Sequence, residues 1–332
     1  MRSVRFYAAL LTLIAATLLL AACSGEAAQP APPAEEAVEE GGTVSPVRMA
    51  LLPVLDTLPF YIAQENGYFE ELGLEVIAVP VASPVERDQL MQAGEVDGML
   101  NEITSTAVFN RDGLRVKTVL AARIATEDGP VFRLLASPAS DISGPADLAG
   151  VPIGVSQNTV IEYVTDRMLQ EEGLPPDQIV TQSVPVIPER FQLLMQGDLL
   201  AATLPDPLAQ AALQAGAKPV IDDSAYPFYS LSTLTFSIEA IEGNPEGVRR
   251  FIAAWEKAVA DLNADPEAYR ALFLEKVNVP ESVQETYQIP PFPVSQVPSA
   301  EQWADVMDWL IGKGLLESPV SYEDSVTTEF LP

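Results

Sequence analysis

Four loops hold the side chains best suited to grip a small molecule, and each stands directly after a β-rich run. The first carries Asp56 and Thr57, the second Asn101, Glu102 and Thr104, and the third Ser156, Gln157 and Asn158. The fourth is Leu204-Pro205-Asp206-Pro207, with Asp206 as its polar group. Carboxylates, amides and hydroxyls placed there can exchange hydrogen bonds with N–H and C=O groups, or can cap the helix that follows. Thr159 and Glu162 form an S/T-x-x-E pattern, which uses Thr159 as a cap and leaves Gln157 and Asn158 as the stronger contacts. Tyr163, one turn further on, and Tyr226, Phe228 and Tyr229 supply rings for stacking, with Phe60 and Tyr61 behind them. Such rings are more often core than platform, so their clustering near these loops is what singles them out.

Catalytic chemistry has little to work with. There is no histidine, which removes Ser-His-Asp triads, His general bases and His-rich zinc sites. The single cysteine is Cys23, so no disulfide forms within the chain. No GxGxxG or phosphate-loop pattern occurs, and a pair of carboxylates means little among 47 acidic residues. No enzyme, cofactor or metal is expected. With 18 Lys and Arg against 47 Asp and Glu the net charge is −29, which makes nucleic acid an unfavourable partner.

Arg2 and Arg5 precede an apolar stretch from Phe6 to Leu20, the layout of a secretory signal. It ends in Leu20-Ala21-Ala22-Cys23, which resembles the bacterial lipobox. That resemblance implies a signal peptide over 1–22 and a lipid on Cys23 that anchors the chain to the extracytoplasmic side of the cell membrane. Residues 23–46 are rich in Pro, Glu and Ala, cannot bury a core and read as a disordered tether. The rest, 47–332, is long for a single core, so two lobes are expected.

The elements that must position the loops alternate in type, as in α/β domains. Val47–Leu52 reads as a strand, 58–66 as a helix stopped at Gly67, and 74–81 as the next strand. A helix through Gln89–Ala93 ends at Gly94, and Val96–Leu100 leads into the Asn101 loop. Val151–Val155 is a strand, followed by a helix that runs to Gly173. Glu86-Arg87-Asp88-Gln89-Leu90 through Gly94 matches Glu189-Arg190-Phe191-Gln192-Leu193 through Gly197 at a constant offset of 103, and Gly113 and Gly216 keep that offset. The spacing points to two lobes built alike, whose strand ends face each other across a cleft.

Leu58-Pro59-Phe60-Tyr61-Ile62-Ala63-Gln64-Glu65-Asn66-Gly67-Tyr68-Phe69-Glu70-Glu71-Leu72-Gly73-Leu74-Glu75-Val76 resembles the opening of solute-binding proteins of the sulfonate, taurine and thiamine-pyrimidine group. Gly94-Glu95-Val96-Asp97-Gly98, Asp147-Leu148-Ala149-Gly150-Val151-Pro152-Ile153-Gly154-Val155, and Asn244-Pro245 before a helix with Trp255 extend the likeness over about 47–320. The resemblance implies an α/β, two-lobed type II periplasmic-binding fold with two crossover hinge strands. Lobe one would be 47–137 plus 231–332 and lobe two 138–230, with the hinge near Ala136-Ser137 and Leu231-Ser232. It also implies a small-molecule ligand in the cleft, and permease and ATPase subunits of an ABC importer as partners; a lipid-anchored sensor would read the same way.

Sulfonate and nitrate members of the group need cations at the cleft. The loops here offer Asp56, Glu102 and Asp206 instead, although Arg123, Arg133 and Arg190 could reach in. Pyrimidine-precursor binders carry a Trp and a His around the first loop, where this chain has Leu55-Asp56-Thr57-Leu58-Pro59. The smaller residues leave room for a larger neutral heterocycle stacked on Tyr or Phe. Riboflavin is the first choice, a thiamine pyrimidine precursor the second, and a sulfonate or nitrate the alternative.

Overall fold

The computed structural model describes residues 44–277 and 279–332. The expected signal segment, Cys23 and the tether up to residue 43 lie outside the described residues. In chain order the first strand, β1 (Val47–Leu51), leads through a 3-10 turn at Leu55–Thr57 into helices α1 (Leu58–Glu65) and α2 (Tyr68–Glu71), then β2 (Val76–Pro80) and α3 (Pro84–Gln92). Next come β3 (Gly98–Asn101), α4 (Ile103–Asn110), β4 (Val116–Ile124) and β5 (Phe132–Ala136). The middle of the chain holds β6 (Pro152–Val155), α5 (Val160–Glu171), β7 (Val180–Ser183), α6 (Ile187–Gln196), β8 (Ala201–Pro205), α7 (Leu208–Gln214), β9 (Lys218–Asp222) and β10 (Leu231–Ser237). Five helices finish it: α8 (Ile238–Gly243), α9 (Pro245–Ala264), α10 (Arg270–Lys276), α11 (Ala300–Gly312) and α12 (Tyr322–Ser325).

Two five-stranded sheets result, with orders β2-β1-β3-β10-β4 and β7-β6-β8-β5-β9. They share one plan. In each, a central strand runs parallel to two neighbours (β1 with β2 and β3, β6 with β7 and β8), and a crossover strand inserts antiparallel (β10 in the first, β5 in the second). The register repeats as well: Met49 faces Gly98, and Ile153 faces Ala201, so β3 and β8 keep the offset of 103. The repeat in the sequence is therefore a repeat of architecture.

Gly98 shows why a side chain is missing at one crossing. A Cβ there would lie 2.6 Å from Met49 Sδ and 2.8 Å from Phe236 on β10, so the crossover strand fits against β3 only because this position is bare. Beneath that sheet, Phe251 of α9 collects rings from four elements: Phe60 at 6.2 Å, Phe69 at 5.4 Å, Phe236 at 5.5 Å and Trp255 at 6.3 Å between centroids. Asn244 caps α9 by accepting from Gly247 N–H at 3.2 Å, and Pro245 occupies its first turn.

The first change of sheet comes earlier than expected. β5 hydrogen-bonds to β8 and β9, so Phe132–Ala136 belongs to the second sheet and the chain crosses at 125–131 rather than at Ala136-Ser137. Arg133 on β5 explains the preference, since it meets Asp206 and Asp222 there. The chain returns to the first sheet at β10, which begins at Leu231. Helix α11, expected within lobe one, also packs on α5: Trp309 Nε1 donates to Asp166 at 2.8 Å, and Lys313 reaches Glu162 at 3.0 Å and Asp166 at 2.7 Å.

Candidate functional site

The carboxyl ends of the parallel strands in both sheets meet across a cleft. From the first lobe come Asp56, Arg87, Asn101, Glu102 and Ser232; the second presents Val131, Phe132, Val160, Ile161, Ile187 and Pro205. The first lobe also lends Leu52, Val54, Pro84 and Leu100, so its wall is mixed while the second is mostly apolar. Three pairs of lining residues, Asp56/Thr159, Pro84/Ile187 and Glu102/Pro205, one member from each lobe, are related by the offset of 103, so the repeat builds both walls. The cavity between them is about 40 Å³. A water's share of liquid volume is about 30 Å³ and ligand sites run to roughly 300–1,000 Å³, so a heterocycle enters only when the walls part.

Each acidic side chain at the cleft is held by an arginine. Arg123 Nη1 donates to Asp56 Oδ1 at 3.2 Å and Ser232 Oγ to Oδ2 at 2.6 Å, while Arg123 Nη2 donates to the Pro130 carbonyl at 2.8 Å. Arg87 forks onto Glu102 at 2.7 and 3.1 Å. Burial drives the Glu102 carboxyl above its ordinary range and Arg87 opposes that rise. Behind the second wall, Arg133 grips Asp206 with Nε and Nη2, both at 2.9 Å. Asn101 donates from Nδ2 to Thr106 at 3.1 Å, but its Oδ1 is buried without a partner. That acceptor is idle in a wall of paired groups.

The expected contacts divide. Asp56, Asn101 and Glu102 line the cleft. Thr57 does not; its hydroxyl donates inward to the Val54 carbonyl at 2.8 Å and shapes the turn. Gln157 is drawn to Thr181 on the edge strand at 3.1 Å, and Asn158 is exposed with φ of 62°. Thr159 caps α5 as expected, accepting from Ile161 N–H at 3.2 Å, but Glu162 accepts from Asn158 N–H, one residue before the cap, because Asn158 is left-handed. Asp206 sits behind Pro205, bound to Arg133.

The tyrosines gather elsewhere. Tyr163 is buried, donates to Asp305 at 2.6 Å and meets Trp309 edge-on at 5.6 Å. With Tyr229, Phe228 and Thr104 it surrounds a separate void of about 10 Å³ behind Val160. Tyr226 and Tyr229 donate to Glu172 and Glu171 at the carboxyl end of α5. Phe60 is core beneath the first sheet. The ring in the cleft wall is Phe132, which the sequence reading passed over, as it did Ile187 and the arginines' pairing. The offset of 103 could have found Ile187, since Pro84 is its counterpart.

Comparison with known proteins agrees with this layout. The family described as NMT1/THI5 like matches residues 55–269. Relatives include a formylaminopyrimidine-binding protein of Halalkalibacterium halodurans, 25% identical over 96% of this chain and 98% of the relative. Another is the riboflavin-binding protein RibY of Chloroflexus aurantiacus, 23% identical over 95% of each chain. A 4-amino-5-hydroxymethyl-2-methylpyrimidine phosphate synthase of Saccharomyces cerevisiae is 24% identical over 82% of this chain and 84% of its own. Among solved structures, the alkanesulfonate-binding protein SsuA of Xanthomonas axonopodis pv. citri superposes with a TM-score of 0.72 at 17% identity, covering 85% of this chain and 98% of that one. The fold is that of the periplasmic binding proteins.

Proposed function

Because the chain belongs to the NMT1/THI5-like family, we propose that it is an extracytoplasmic solute-binding lipoprotein that delivers a vitamin-type heterocycle to an ABC importer. Riboflavin is the first ligand and a thiamine pyrimidine precursor the second. The observation that carries this reading is a largely apolar cleft with Asn101 Oδ1 as an idle buried acceptor on its mixed wall. A flat ring bearing N–H donors satisfies both walls, laying an apolar face on Phe132 and Ile187 and an edge on Asn101. The lobes would part at 125–131 and at the start of β10 to admit it and shut over it, so that the importer meets the closed state. The relatives named for formylaminopyrimidine and riboflavin support this ligand class.

A synthase among the relatives raises the question of catalysis. Against it, the described residues contain no histidine, and each cleft carboxylate is committed to a guanidinium, so no free base faces the cavity.

Riboflavin fluorescence gives the test of the wall assignment. Phe132→Ala should weaken riboflavin binding by about 1–3 kcal/mol, the value of a lost stacking ring. Tyr163→Phe, which loses only its bond to Asp305, should leave the affinity unchanged. The reverse pattern, with Tyr163 essential and Phe132 dispensable, would move the ligand to the smaller void.

Among the described residues no helix is long and apolar enough to cross a membrane. We place the protein at the membrane through lipid on Cys23. Cys23→Ala should shift it from the membrane to the soluble fraction, and salt-resistant membrane retention of that variant would refute the anchor.

A further inference from the structure

We propose that Arg190 is the second lobe's anchor for acceptor oxygens of the ligand, opposite the carboxylates of the first lobe. This rests on the reading of the interlobe cleft as the ligand site. Arg190 on α6 and Arg87 on α3 hold the same place in the two copies of the repeat. In the first copy the guanidinium is neutralised by Glu102 at 2.7 Å and Asp88 at 2.8 Å. The corresponding positions in the second copy are Pro205 and Phe191, which carry no charge.

Arg190 is fully buried all the same. Its Nη1 donates to Ser156 Oγ and to the Val184 carbonyl, both at 2.9 Å, while Nε and Nη2 have no partner. Among the described residues it is the one buried arginine without a carboxylate. Desolvation pulls its pKa down to about 9, so it still carries its charge at neutral pH. A buried charge without a counter-charge is costly, and two idle donors add to that cost.

The position makes a ligand the natural partner. Ile187, one turn earlier on α6, and Thr159, three residues after Ser156, both line the cleft; Arg190 itself does not, so a ligand reaches its guanidinium only when the walls part. Nε and Nη2 form one edge of the guanidinium fork, the edge with which Arg133 grips both oxygens of Asp206. Two acceptor atoms side by side match that edge, whether they are a ring carbonyl oxygen and its neighbouring ring nitrogen or two oxygens of an oxyanion such as a sulfonate. The ligand then presents donors to Asn101 on one side and acceptors to Arg190 on the other.

Wild type, Arg190→Met and Arg190→Lys are titrated with riboflavin and, separately, with ethanesulfonate, and the unliganded proteins are melted in parallel. Arg190→Met should lose about tenfold or more in affinity for whichever probe binds, with a smaller loss in Arg190→Lys. Its unliganded melting point should stay level or rise, because the deleted buried charge had no counter-charge and its cost outweighs the two hydrogen bonds lost to Ser156 and Val184. Loss of riboflavin binding assigns the contact to ring carbonyls, and loss of ethanesulfonate binding assigns it to an anion; in the second case the anchor stands and the heterocycle reading falls. Unchanged affinity, or a clearly lower melting point of unliganded Arg190→Met, makes Arg190 a structural residue and overturns the proposal. If neither probe binds wild type, riboflavin falls as the ligand and the melting comparison alone decides: a lower value refutes the anchor and a level or higher one supports it.

Discussion

Replacing Arg87 by Met should cost about 3–5 kcal/mol of folding stability, the range for removing one side of a buried ion pair. Arg87 and Glu102 are both buried, and the guanidinium supplies two hydrogen bonds to the carboxylate. Burial already raises the Glu102 carboxyl; without Arg87 nothing opposes that rise. A carboxyl whose folded pKa lies above its unfolded value of about 4.3 binds more protons in the folded state, so stability falls as pH climbs between the two. The variant's deficit should therefore be smallest near pH ~4 and grow toward pH ~7. Arg87→Met combined with Glu102→Leu should recover most of the loss, since no charge is then buried alone. Denaturant unfolding of the three proteins at both pH values checks this. A single variant as stable as wild type at neutral pH, or a deficit independent of pH, would contradict the role given to the pair.

Phe251→Ala should remove about 3–5 kcal/mol, through lost burial and the cavity left behind. Its ring touches the rings of Phe60, Phe69, Phe236 and Trp255, so the gap would open where α1, α2, α9 and the crossover strand β10 converge. Collapse is resisted by the tight fit of Phe236 against Gly98. None of these five rings lines the cleft, so ligand affinity measured well below the lowered melting point should match wild type. Thermal unfolding and a ligand titration on one preparation separate the effects. Affinity lost in parallel with stability would show that this core also sets the geometry of the cleft.

Much of the fold was legible in the residues because α/β alternation leaves a periodic trace: β1, α1 and α5 appear where the apolar patterns put them. The repeat was legible as well, since Gly94/Gly197 and Arg87/Arg190 keep both type and spacing. What escaped was pairing over long distances. Nothing local in Val131-Phe132-Arg133 says that β5 joins the second sheet; the partners Asp206 and Asp222 lie more than 70 residues away. The surroundings of the tyrosines are non-local for a related reason. Tyr163 follows the third loop closely in sequence, yet helical rotation turns it from the cleft toward α11, where Asp305 and Trp309 wait. Loop position brings Asp56, Asn101 and Glu102 to the cleft lining, but says nothing of the arginines that pair with Asp56 and Glu102.

The most direct measurement is a titration of the wild-type protein with riboflavin, following flavin fluorescence and melting point together. Saturable quenching is expected, with a gain in unfolding free energy of about 2.7 kcal/mol at 100 times the dissociation constant. No quenching and no rise in melting point with riboflavin or a thiamine pyrimidine, alongside stabilisation by a sulfonate or nitrate, would contradict the assignment of the cleft to a heterocycle.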